Sequence, residues 1–282
     1  MPYADLLLTA LTYPDPTPDR AIRSGVALAR RLGGALTFLS VRADLPELHN
    51  PLANALLDLD RLARTEEARS AAAAELESTC ARIAAEAADT TVQVETVRAR
   101  LYEEADVVAR AARTRDLTMT PLGPAVLADR ALAEAVLFGS GRPLVVYPES
   151  AEITPADGFA RVAIAWDGGA SAARAVADAL PVLARAAEVR IFTALGEKPQ
   201  AVRGVAEPLF RHLQRHGLSP VLDERLARGE SIGHCLAEFV DEVRPDLLVM
   251  GGYGHARLRE FVLGGATRAG FEGPPSPVML SH

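Results

Sequence analysis

Short apolar runs alternate along this chain with longer stretches in which apolar positions return every three or four residues. The alternation predicts strands joined by helices, because parallel strands need crossover connections. In the second half, residues 161–166 read as a buried strand stopped by Asp167-Gly168-Gly169. Residues 171–186 place Ala175, Ala179, Leu180 and Leu183 at helical spacing, and 189–193 form the next strand. A helix over 200–216 closed by Gly217, a strand over 220–226, a helix over 231–243 capped by Ser231 and a strand over 246–251 follow. Segments 257–271 and 277–281 complete the series. The first half has the same order: strand 5–10, helix 19–32 ended by Gly33-Gly34, strand 35–41, a long helical stretch over 53–88, strand 91–98, helix 101–112, strand 116–120 and strand 143–147.

Each half therefore predicts a doubly wound α/β unit, with right-handed crossovers covering both faces of a parallel sheet. The halves match best near their ends. Asp116-Leu117-Thr118-Met119 parallels Asp246-Leu247-Leu248-Val249, and Arg142-Pro143-Leu144-Val145-Val146 parallels Ser276-Pro277-Val278-Met279-Leu280. Duplication explains this better than chance. Between them 148–159 is turn-rich and weakly apolar, which puts the boundary near Glu152 and divides the chain into 1–151 and 152–282. The Ala, Arg and Glu-rich stretch 53–88 reads as a solvated helix packed along one stripe.

Composition narrows the functional classes. Apolar residues at 49% and charged residues at 24% speak against disorder. With 30 Lys plus Arg against 37 Asp plus Glu, a formal charge of -7 creates no field to attract nucleic acid. No apolar run is long enough to span a bilayer and the first residues lack a basic segment, so a cytoplasmic location is the expectation. Cys80 and Cys235 stand far apart, each within a helical stretch, and read as buried fillers.

The candidate chemistry gathers where strands end. Leu247-Leu248-Val249-Met250 runs into Gly251-Gly252-Tyr253-Gly254, and Gly264-Gly265-Ala266-Thr267 follows. Glycines there would let backbone approach a ligand, and exposed N–H groups would hydrogen-bond anionic oxygens. In an open α/β sheet, ligands settle at the carboxyl ends of the strands where strand order reverses. Asp167 closes the first strand of the second half and can accept hydrogen bonds from ribose hydroxyls or an exocyclic amine. The alternative is that Asp167 caps the helix near Ser171, with Gly168 and Gly169 forming only the turn.

Ala165-Trp166-Asp167-Gly168-Gly169, together with Gly251-x2-Gly254-x9-Gly264, resembles the universal stress protein family, and the resemblance covers the full chain as a tandem, two-domain member. It implies two doubly wound five-stranded parallel sheets of order 3-2-1-4-5, one per domain, packed as a pseudo-dimer. It also implies an adenine nucleotide, ATP or else AMP or ADP, with Mg2+ accompanying the phosphates, in a stress-related regulatory role with protein partners. Further pairing into a homodimer stays open. Carried over by position, Met250, Gly251 and Gly254 would approach the ribose and α-phosphate, and Gly264, Gly265, Ala266 and Thr267 would serve the outer phosphates. Asp167, Gly168 and Thr193 would lie beside the adenosine, and His255 beside the phosphate loop. One departure is Gly265 where the family pattern has Ser or Thr. Losing one neutral hydrogen bond costs about 0.5 to 1.5 kcal/mol, which weakens binding roughly tenfold at most.

The first half lacks this pattern. Pro121-Leu122-Gly123-Pro124 follows its fourth strand, Gly139-Ser140-Gly141 lies too far on, and the prolines remove N–H donors. An empty first site is the expectation. His255 could donate to a phosphate or ligate a metal, or be a polar loop residue. His212 and His216 share a helical face at metal-ligand spacing but have no visible third ligand. Arg257 and Arg259 could neutralise phosphate or lie on the final helix. No nucleophile with a partnered base and no Gly-x4-Gly-Lys-Ser/Thr loop occurs, so a dedicated enzyme is not indicated. The alternatives to a nucleotide-binding regulator are a protein-interaction module without a nucleotide and a slow ATP hydrolase.

Overall fold

The computed structural model describes residues 3–12, 16–44, 59–87, 90–100, 103–123, 127–196, 203–226, 232–252 and 276–282. In chain order the first half contains β1 (Asp5–Leu11), α1 (Asp19–Leu32), β2 (Ala35–Asp44), α2 (Leu59–Glu86), β3 (Val92–Arg100), α3 (Glu104–Ala112), β4 (Leu117–Leu122), α4 (Leu127–Gly139) and β5 (Leu144–Pro148). The second half contains β6 (Arg161–Ala165), α5 (Ala170–Leu183), β7 (Glu188–Leu195), α6 (Glu207–Arg215), β8 (Val221–Leu226), α7 (Ile232–Val243), β9 (Leu247–Gly251) and β10 (Val278–Ser281).

The strands form one ten-stranded sheet in the order β3-β2-β1-β4-β5-β10-β9-β6-β7-β8. This corrects the expectation of two separate sheets. Each half keeps the expected internal order, but β5 and β10 pair antiparallel, Val146 to Val278 and Leu144 to Leu280, and fuse the two edges. All other strand neighbours are parallel. Leu144, Val145, Val146, Val278, Met279 and Leu280 are all buried, so the seam lies inside the molecule.

Period-two alternation assigns each strand's side chains to one face or the other. On one face Leu8, Phe38, Leu117, Ile164, Ile191 and Val249 pack with α1, α2, α5 and α6. On the other, Leu7, Leu39, Leu144, Ala163, Phe192 and Leu248 pack with α3, α4 and α7. Both cores draw residues from both halves, and the seam joins them.

The repeat extends to hydrogen bonding. Asp116 Oδ2 accepts the N–H groups of Ala4 and Asp5, and Asp246 Oδ2 accepts those of Ala160 and Arg161. In each half this carboxylate ties the start of the fourth strand to the start of the first. Residues 151–160 do not hang free between the halves: Ser24 Oγ donates to Ala151 O, Ile153 N–H donates back to Ser24 Oγ, and Arg31 donates to Thr154 O.

Two helices differ from expectation. In the stretch anticipated over 200–216, described residues 203–206 form a turn and the helix starts at Glu207, because Gly204 takes φ +82°, outside the helical region, and Pro208 sits in the first turn where its missing N–H costs nothing. The helix α4 was not anticipated at all. Its buried Leu132, Ala133, Val136 and Leu137 share the helix with exposed Ala131 and Phe138, and this blurs the apolar stripe.

Candidate functional site

The strand order turns back between β6 and β9, so their carboxyl ends flank the switch point of the second half. Register brings the anticipated residues to neighbouring strand ends: Ala165 pairs with Phe192 on one side and Met250 on the other. Asp167, Met250 and Gly251 therefore lie at the carboxyl ends of adjacent strands, with Thr193 two residues short of the end of β7 and not at its end as expected. Gly254, His255, Gly264, Gly265, Ala266 and Thr267 lie outside the described residues, as do Arg257 and Arg259.

The turn after β6 is built by its own side chains. Trp166 N–H extends the ladder to Phe192 O at 2.8 Å, and its indole Nε1 donates to Val205 O at 3.2 Å. Gly168 takes φ +77°, a conformation that favours glycine, and a Cβ there would fall 3.3 Å from Val205 Cγ2. Asp167 Oδ1 accepts the Gly169 N–H at 2.8 Å, and Gly169 begins α5 with no side-chain cap of its own. One carboxylate oxygen of Asp167 thus holds the turn before α5, and it does not serve as the helix cap.

The two glycines closing β9 are needed for packing. A Cβ on Gly251 would fall 2.5 Å from Ala172 N and 2.7 Å from Ser171 C, so its bare backbone admits the first turn of α5. A Cβ on Gly252 would fall 2.8 Å from Leu137 Cδ2, a side chain of the first half. Thr193 is 1% exposed and its hydroxyl has no partner among the described residues. Ser40, at the corresponding register position of β2, is likewise buried and unpartnered.

Beside these residues a cleft of about 520 Å³ opens at the ends of β7 and β8, lined by Leu195, Arg203, Glu224, Arg225, Leu226, Cys235 and Glu238. Arg225 is held by Asp223 and Glu242 and lies 5.2 Å over the Phe239 ring, and the Asp223 carboxylate raises its pKa further above the usual guanidinium range. Glu224 Oε1 accepts the Gly204 N–H at 2.8 Å and anchors the turn before α6. Sequence reasoning missed this cleft. Its signal was the charged triplet Asp223-Glu224-Arg225 inside a strand.

At the matching strand ends of the first half, side chains and internal hydrogen bonds replace the glycines. Pro121 and Leu122 occupy the register positions of Gly251 and Gly252, and both are buried. Thr12 Oγ1 donates to Val41 O, Thr17 Oγ1 accepts the Leu11 N–H, and Asp129 Oδ2 accepts the Gly123 N–H. The last contact puts the chain's own carboxylate on a backbone donor of this turn. Ser140 and Gly141 terminate α4, where Ser140 Oγ accepts the Arg142 N–H.

The histidine pair lies on the exposed end of α6, with ring centroids 4.8 Å apart. No cluster of three or more metal-ligating side chains occurs among the described residues. Both cysteines are buried, and burial pushes the Cys80 thiol up to about 11. No described helix is long and apolar enough to cross a membrane.

This α/β fold, a parallel-dominated sheet with helices on both faces, matches the fold of solved universal stress proteins. Solved structures similar to this chain include universal stress proteins. A universal stress protein from Archaeoglobus fulgidus DSM 4304 matches with a TM-score of 0.68 at 14% identity, over 98% of this chain and 95% of its own. A protein from Pseudomonas aeruginosa UCBPP-PA14 assigned to the same group matches with a TM-score of 0.50 at 13% identity, over 99% and 93% of the two chains. No family model matches the sequence, and no curated protein does.

Proposed function

We propose that this chain is a regulatory protein that binds one adenine nucleotide, ATP or else AMP or ADP, on the unit formed by residues 152–282. The observation that supports this reading is the meeting of Asp167, Met250 and Gly251 at adjacent strand ends of the switch point, with Thr193 near the end of β7, from which the Gly251-x2-Gly254-x9-Gly264 spacing continues. In this reading the base and ribose lie against Asp167, Gly168 and Thr193. The phosphates follow the run from Met250 and Gly251 through Gly254 and His255 to Gly264, Gly265, Ala266 and Thr267, with Mg2+ arriving on the triphosphate. The unit 1–151 holds no nucleotide, in keeping with Pro121, Leu122 and the Asp129 contact. It acts as the paired scaffold, and protein partners read the occupied state.

The test is thermal melting with and without millimolar ATP and Mg2+. Ligand at about 100 times its dissociation constant adds roughly 2.7 kcal/mol to the folded state. A clear upward shift, lost on Asp167→Ala, is expected. The packing duties of Gly251 and Gly252 favour one competing reading, a protein-interaction module in which these glycines serve the fold alone. An unchanged melting temperature at all nucleotide concentrations decides for the module. Phosphate release well above the enzyme-free background would decide instead for a slow hydrolase.

A further inference from the structure

We infer that β8 is the self-association edge of this chain: a second copy adds its own β8 antiparallel across a two-fold axis, and one sheet continues through two molecules. This stands apart from the nucleotide reading. β8 is an outer rim, parallel to β7 on one side and last in the strand order on the other. None of its residues is buried. Its two ends, Val221 at 44% and Leu226 at 55%, are among the large apolar side chains left exposed in the described residues. An edge strand offers unpaired N–H and C=O groups to a further strand, so what its side chains would face decides whether it pairs or is blunted.

Two-fold symmetry limits which residues can meet. The axis stands perpendicular to the sheet, so each face keeps its side and only positions of like parity oppose one another. On β8, Val221, Asp223 and Arg225 share the face of α7, where Arg225 lies over the Phe239 ring. Leu222, Glu224 and Leu226 share the other face, where Leu222 packs on the core that α6 covers. Centring the axis on Glu224 sets Asp223 opposite Arg225 of the second copy and Leu222 opposite Leu226, each twice. Centring it on Asp223 or Arg225 instead puts like charges on the axis and charges opposite leucine or valine. The cost of the favoured register is Glu224 facing its own copy, and its Oε1 is already turned to the Gly204 N–H at 2.8 Å. The opposite rim has no matching register. On β3, Glu95 shares its face with Gln93, Val97 and Ala99, and Arg98 and Arg100 share theirs with Val92, Val94 and Thr96, so no two-fold pairing brings a carboxylate opposite a guanidinium.

Sedimentation velocity on the full chain without nucleotide, over about 1 to 200 μM, tests this, and the mass should rise from 29.9 kDa toward twice that. Leu226→Glu, at a position already exposed, sets a charge opposite Leu222 and should weaken the dimer about tenfold or more. Glu224→Gln keeps the acceptor for Gly204, removes the like-charge contact on the axis and should tighten the dimer about threefold or more. Val94→Glu, on the β3 rim, should leave it within about twofold. A chain that stays monomeric throughout overturns the inference. So does a dimer unmoved by Leu226→Glu, weakened by Val94→Glu, or no tighter with Glu224→Gln. None of these results bears on nucleotide binding, so the two readings fail separately.

Discussion

A methyl group at the end of β9 would collide with the main chain of α5, 2.5 Å from an amide nitrogen that cannot move without its helix. Gly251→Ala should therefore lower unfolding free energy by about 2 to 4 kcal/mol in urea titration, as overpacking against backbone does. Gly168→Ala, placed at φ +77°, should cost about 1 to 2 kcal/mol through backbone strain. Glu104 offers a pH test. It is 9% exposed, its Oε1 has no partner among the described residues, and burial pushes its carboxyl up to about 7 from 4.5, against the pull of the helix N-terminus toward the ionised form. A folded-state pKa raised above the unfolded value favours folding fully below about 4.5, and that stability is lost as pH rises through 7. Glu104→Gln should abolish this loss, on the order of 1 to 3 kcal/mol between pH 4.5 and 8, in denaturation curves compared across pH.

Between elements, α1 and α2 are laced by a closed ring of charges in which Arg23 and Arg82 each bridge Asp19 and Glu86. All four groups are roughly half-exposed, so the ring should show as coupling in an Arg23→Ala and Glu86→Ala cycle that fades in 1 M salt. Elements with sharp punctuation were readable beforehand. Helix α1 has the anticipated bounds because Gly33 stops it in the left-handed region at φ +88°. Strand β7 outran its expected end at Thr193 by two residues, since Ala194 and Leu195 are apolar and give no stop signal. Helix α4 escaped notice because exposed Ala131 and Phe138 interrupt its apolar stripe, yet it supplies the residue that covers Gly252. Of the residues named for the candidate site, the ends of β6 and β9 were legible because Asp167-Gly168-Gly169 and Gly251-Gly252 stop apolar runs. The cleft beside β8 was not, because it depends on how α7 packs over charged strand residues.

For the whole molecule, one sheet and two cores shared across the seam predict cooperative unfolding. Calorimetry should give a single transition with matching calorimetric and van't Hoff enthalpies. Leu28→Ala in the first half and Leu236→Ala in the second, each fully buried, should each move that one transition, by about 2 to 5 kcal/mol. Two peaks shifted independently would contradict it. The seam between β5 and β10 has one more consequence. A bimolecular pair of such units would separate on dilution, whereas here the mate is tethered through residues 149–160 and re-encounter is intramolecular. The edges that a lone unit would offer to a stranger are already spent on each other, leaving β3 and β8 as the outer rims. Pairing of the two sheet halves is therefore independent of protein concentration.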